Sequence, residues 1–199
     1  MTSEEISTKD KILKVAHKLF AEKGLDGVGV REIAKDADVN VAAINYHFGS
    51  KEALHIETIS ACMMKMNNEV SALYKKNMKI EQLVGDFYDH LLVNKEDLIT
   101  SFKLFLNKSD IPLQSHKDDK IIGPPGGSVF MNCLKEQCPN AKEDDLLWAT
   151  RCIMTQVIHG SLMMCNHEKA ICENTGVDKS MMKNQILRLV KVVVSDINS

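Results

Sequence analysis

All four prolines of this 199-residue chain fall in one stretch, as Pro112, Pro124, Pro125 and Pro139. Proline lacks the amide hydrogen that a helix needs, and its ring collides with the preceding turn, so helix interiors exclude it. Residues 1–111 and 140–199 are therefore open to continuous helix, while 109–128 reads as the one long irregular segment. Inside the two blocks, apolar residues recur at the three-and-four spacing of a helix face. The first helix should start near Thr8 as N-cap and stop at Gly24, with Ile12, Leu13, Ala16, Leu19 and Phe20 as its stripe. Short helices are expected at about 30–36 and 40–47. A longer one follows the cap Ser50 and runs to about Lys76, burying Leu54, Ile59, Cys62, Met63, Met66, Val70 and Leu73. Others are expected at about 80–93, 96–107, 128–137, 143–166 and 178–197. No stretch alternates as a strand would, so the fold class is all-α, with about nine helices.

Composition excludes several classes of function. The formal charge is −2, and residues 1–51 carry 8 Lys+Arg against 8 Asp+Glu, so bulk positive charge cannot hold this chain on a polyanion. The uncharged run Cys152–Cys165 is shorter than the roughly 20 residues of a membrane helix. The polar, acidic start of the chain has no apolar leader, and a cytoplasmic location is expected. The six cysteines, at 62, 133, 138, 152, 165 and 172, then read as reduced thiols rather than a disulfide framework.

Residues 28–48 carry the logic of a helix-turn-helix. Val30, Ile33, Ala34 and Ala37 form one apolar face. Asp38 takes the turn, Val39 plugs the space between two helices, and Asn40 caps the second. Ile44 and Phe48 point inward on that second helix. Its outward Val41, Ala42, Ala43 and Asn45 are small or amide-bearing, which suits close entry into a major groove.

On these residues the chain resembles the DNA-binding domain of the tetracycline-repressor (TetR) family of bacterial transcriptional regulators. The resemblance covers residues 8–54: Ile12 to Phe20, Gly24, the Arg-Glu-Ile-Ala run at 31–34, Val39, the Ile-Asn-Tyr-His-Phe run at 44–48, and Ser50 to Leu54. It departs from the family at Asp38, where glycine is usual, and at Val28-Gly29, where a hydroxyl residue often opens the helix. Aspartate tolerates left-handed backbone better than most residues, so the turn should survive. The resemblance implies a DNA-binding domain over 1–51 and an effector-binding, dimerising domain over 52–199. It also implies that Tyr46, His47 and Lys51 meet phosphates, while Arg31, Val41, Ala42 and Asn45 face base edges. Their chemistry fits Arg31 to guanine, Asn45 to adenine, and the Val41 and Ala42 methyls to thymine.

For the second domain, an effector pocket is expected among Met63, Met66, Phe87, Phe102, Phe105, Met131, Trp148 and Met154, although for any one of them plain core filling is the favoured reading. The last two helices are apolar over more of their circumference than one core needs. A homodimer interface is therefore expected at Ile153, Val157, Gly160, Ser161, Leu162, Ile186, Leu189, Val190 and Val193. The partners implied are a double-stranded operator, a small-molecule effector and a second copy of the chain, with no cofactor, metal or membrane.

Other signals are weaker. Cys165, His167, Cys172 and His159 match no regular zinc spacing. Glu52-Ala-Leu-His55 is one Glu-x-x-His where a di-iron bundle needs two. Gly123-Pro-Pro-Gly-Gly127 lacks the Lys-Ser/Thr of a phosphate loop and reads as a turn or lid. No complete catalytic constellation is present. The competing readings are a helical enzyme or carrier that kept the domain as scaffold, and a thiol- or metal-responsive regulator.

Overall fold

A computed structural model of the chain describes residues 7–107 and 125–198. Among these residues there are nine helices and no strand. They are α1 (Thr8–Lys23), α2 (Val30–Asp36), α3 (Val41–Phe48), α4 (Lys51–Leu73), α5 (Ile80–Val93), α6 (Lys95–Leu106), α7 (Gly127–Gln137), α8 (Glu143–Thr175) and α9 (Lys179–Ile197). The expected irregular segment lies, up to residue 124, outside the described residues; Pro125 and Gly126 form a turn and α7 starts directly after it.

Local chemistry sets most of the ends. Ser7, one residue before the expected cap, accepts the Asp10 amide hydrogen at 3.1 Å, and Gly24 ends α1 with a φ of 70°. Asn40 accepts the Ala43 amide hydrogen at 2.7 Å to start α3, and Ser50 accepts that of Ala53 at 3.1 Å to start α4. These side chains satisfy amides that the first turn of a helix leaves without partners. Two ends differ from expectation. Helix α4 stops at Leu73 because the chain turns at Lys75–Met78, with Asn77 in left-handed backbone. Helix α8 continues to Thr175, but helical geometry breaks at His167 (φ −134°, ψ 18°), next to the expected end at 166.

The chain divides into two compact units. Of the described residues, the first holds 7–63 and 99–107, and the second 64–98 and 125–198. The first unit thus runs past residue 51 and includes a segment distant in sequence. The reason is packing: Leu54, Ile59 and Leu104 are buried in one cluster with Ile12, Ala16, Phe20, Ile33, Ile44 and Phe48. In the second unit, α8 lies against α5, α7 and α9 around Leu83, Phe87, Phe130, Ile153, Val157 and Val190. Among the described residues no helix is long and apolar enough to cross a membrane.

Candidate nucleic-acid interface

The first unit builds its surface from α2 and α3. Asp38 sits in the turn between them at a φ of 53°, the left-handed conformation usually given to glycine, and the Val39 amide donates a hydrogen bond to the Ala34 carbonyl at 3.0 Å. With α3 so placed, Ile44 and Phe48 are buried. Val41, Ala42, Asn45 and Tyr46 are exposed on α3, as is Arg31 on α2, while Ala43 and His47 are half-buried. Tyr46 is 85% exposed, with its ring edge-on to His47 at 5.2 Å. Lys9 braces this end from α1, pairing with Glu57 and lying 5.8 Å from the Phe48 ring centroid.

Lys51 is half-buried, and its ammonium donates to the backbone carbonyls of Leu25 at 2.9 Å and Val28 at 3.2 Å. The sequence gives no sign of this pairing, because the two carbonyls lie more than twenty positions upstream.

A second residue that sequence reasoning missed is His55. It has no exposed surface, neither ring nitrogen has a hydrogen-bond partner among the described residues, and its ring meets Phe20 edge-on at 4.8 Å. The available signal was its register: His55, Thr58, Ile59 and Cys62 fall three and four apart on one helix face. Burial pushes the His55 pKa below its ordinary value. The unfolded chain therefore takes up a proton near pH 6.5 that the folded unit refuses. The stability this residue contributes is complete above that pH and declines as pH falls below it, by up to about 1.4 kcal/mol per pH unit. Replacing His55 with Phe should flatten the midpoint of urea unfolding between pH 7 and 5.5 relative to wild type. An equally steep decline in both proteins would contradict this account.

The residues expected to line a pocket do not come together as one set. Met63 and Phe105 pack on the core of the first unit, and Phe102, in the same unit, is 38% exposed. Met66, Phe87, Met131 and Met154 share the core of the second unit, where Trp148 is 48% exposed. A 3.6-residue stripe identifies a buried face without saying which core receives it.

The residues expected at the dimer interface already have partners within one chain. Ile153, Val157, Gly160, Ser161, Ile186, Val190 and Val193 are all buried within a single chain, and Leu162 and Leu189 are half-buried there. Gly160 serves the crossing of α8 and α9, since a Cβ on it would stand 2.9 Å from the Ile186 Cδ1. Much of the apolar face of these helices is covered by α5, α7 and each other.

None of the six cysteines is in a disulfide. Cys133 and Cys138 are fully buried, and desolvation pushes the Cys133 thiol up to about 11, away from the reactive thiolate. Among the described residues no group of three or more His, Cys, Asp or Glu is arranged to hold a metal ion.

The described residues thus form an all-helical fold in which a helix-turn-helix presents a small, amide-bearing helix face. Residues 12–58 match the family described as bacterial regulatory proteins, tetR family. The chain is 54% identical over 56 residues to "Probable HTH-type transcriptional regulator YttP" of Bacillus subtilis, a match covering 28% of this chain and 27% of YttP. It is 30% identical over 105 residues to the biofilm operon icaADBC negative transcriptional regulator IcaR of Staphylococcus aureus, covering 52% of this chain and 55% of IcaR. The chain thus spans about half, or less, of the length of these relatives. A solved TetR-like transcriptional regulator from Rhodococcus sp. RHA1 superposes with a TM-score of 0.63 at 10% identity, covering 98% of this chain and 99% of that one. Residues 12–58 thus resemble the tetR family, and the likeness in fold to a solved TetR-like regulator extends over nearly the whole chain.

Proposed function

We propose that this protein is a homodimeric, sequence-specific DNA-binding transcriptional repressor, released when a small molecule binds its second unit, and not an enzyme. The observation that carries the reading is the exposed face of α3, where Val41, Ala42, Asn45 and Tyr46 stand free while Ile44 and Phe48 anchor the helix from behind. IcaR, by its name a negative regulator, supports the sign of the effect. Base edges would be read by Arg31, Val41, Ala42 and Asn45, with Ala43 allowing close approach and Tyr46 and His47 taking phosphates.

A second copy would meet the outward side of α8 and α9. There Trp148 and Val192 are exposed, 48% and 63%, and Leu162 and Leu189 are half-buried. An effector would lodge among Met66, Phe87, Met131 and Met154, where thioethers can adjust to an irregular shape. Helices α4 and α6 each carry chain from one unit into the other, which gives ligand binding in one a covalent route to the other. The proposed location is the cytoplasm, where the operator is.

The test is titration of the protein against duplexes from the region upstream of its own gene, at two salt concentrations. Nanomolar, salt-dependent retention of one duplex over a scrambled one is expected, and no preference among duplexes would refute the reading. Asn45→Ala should relax discrimination at one base pair by about 1–3 kcal/mol, roughly 5- to 150-fold, whereas Tyr46→Ala should weaken all sequences alike. Binding of the variants to single-base-substituted duplexes checks that division.

A further inference from the structure

Lysine is unfavourable at the first position of a helix, where the macrodipole is positive, yet Lys51 opens α4. The structure supplies the compensation. The α1–α2 turn is folded tightly back on the end of α1: Gly24 has a φ of 70°, and a Cβ on Gly27 would stand 2.3 Å from the Lys23 carbonyl oxygen. The side chains of Leu25 and Val28 are buried in the core of the first unit. Both of their carbonyls accept from the Lys51 ammonium, at 2.9 and 3.2 Å. Gly29, which caps α2, offers no side-chain bond to the first turn of that helix. The lead-in to α2 is therefore held by its buried side chains and by Lys51.

We propose that Lys51 is a positioning residue for DNA recognition, stapling the α1–α2 turn to the first turn of α4 so that α2 and α3 keep their placement, rather than a phosphate contact. The proposal rests on the DNA-binding reading above for its consequence, but not for the staple itself. Two of the three ammonium hydrogens are spent on protein carbonyls before any DNA arrives. A phosphate-contacting lysine contributes about 0.9 to the slope of log affinity against log salt, and acts on all sequences equally. A positioning lysine leaves that slope unchanged and acts mainly on the correctly docked, specific complex.

The experiment compares wild type with Lys51→Met on two probes, a duplex selected from a random library by the wild-type protein and a scrambled duplex of equal length. The expected result is about a tenfold loss on the selected duplex, a loss of twofold or less on the scrambled one, and an unchanged salt slope. In the DNA-free variant, amides of residues 24–29 should exchange with deuterium at least tenfold faster, with those of α9 unaffected. Equal losses on both duplexes with a slope lower by about 0.9, an unchanged affinity, or unchanged exchange at 24–29 would each overturn the proposal. Should Lys51→Met not fold, wild type decides: without DNA, the Lys51 ammonium hydrogens should exchange with water more slowly than those of exposed Lys35, and equal rates overturn the staple. A wild-type protein that selects no duplex refutes the DNA-binding reading instead, and leaves the free-protein measurements standing.

Discussion

Phe20→Ala should cost the first unit about 3–5 kcal/mol and abolish DNA binding at temperatures where wild type is folded. Phe20 has no exposed surface, and it lies in one cluster with Ile12, Ile33, Ile44, Leu54 and Leu104, which come from α1, α2, α3, α4 and α6. Truncation leaves a cavity that this many rigid neighbours cannot close, and it removes the edge-on contact with the His55 ring. A whole domain has only about 5–15 kcal/mol in hand, so this one side chain takes a large share. Thermal unfolding followed by circular dichroism, together with duplex titration, gives the readout. Phe20→Leu, which refills most of the volume, should recover more than half of the loss. A Phe20→Ala protein that melts within a degree or two of wild type would show that this cluster does not hold the unit together.

The second large effect is expected at Gly126, the residue before α7. Its φ of +87° costs an L-residue about 1–2 kcal/mol. A Cβ there would also lie 2.7 Å from the Val70 Cγ2, and Val70 is itself fully buried on α4. Overpacking of this kind typically costs about 1–3 kcal/mol more. The Gly126 amide donates to the Asn67 side chain on the same face of α4, so any shift that relieves the clash also loosens that bond. Gly126→Ala should thus destabilise the second unit by about 2–5 kcal/mol, read as a lower urea midpoint. Combining it with Val70→Ala separates the causes: the double variant should be hurt by less than the sum of the two singles, because the steric part vanishes while the backbone part stays. Strict additivity would mean that the Val70 contact contributes nothing.

These two positions were unequally legible in the sequence. Phe20 sits on a regular stripe with Ile12, Ala16 and Leu19, so its burial follows from periodicity. Gly126 belongs to a Gly-Pro-Pro-Gly-Gly run that reads as a turn, but nothing local announces Val70, more than fifty residues away. The helix-turn-helix was legible for a different reason. Gly24, Asp38, Asn40 and Ser50 act through backbone geometry or bonds to atoms within four residues, so their roles survive without knowledge of the rest of the chain. His55 shows the limit. As half of a Glu-x-x-His pattern it looked like surplus, and only the cluster around Phe20 makes it a buried, unpartnered imidazole.

The apolar helices α8 and α9 show where pattern reasoning fails more deeply. Their breadth was real, but a hydrophobic face does not say which partner covers it. Burial by α5 and α7 of the same chain and burial by a second copy leave the same trace in a sequence. The sequence alone therefore determined that there are helices in these places, the caps Asn40 and Ser50, and the outward residues of α3, because those depend on interactions between near neighbours along the chain. Tertiary structure alone decided where the first unit ends, which carbonyls hold Lys51, that His55 is buried, and which faces of α8 and α9 remain open. Each of these depends on contact between residues far apart in the chain, and such contacts leave no periodic mark.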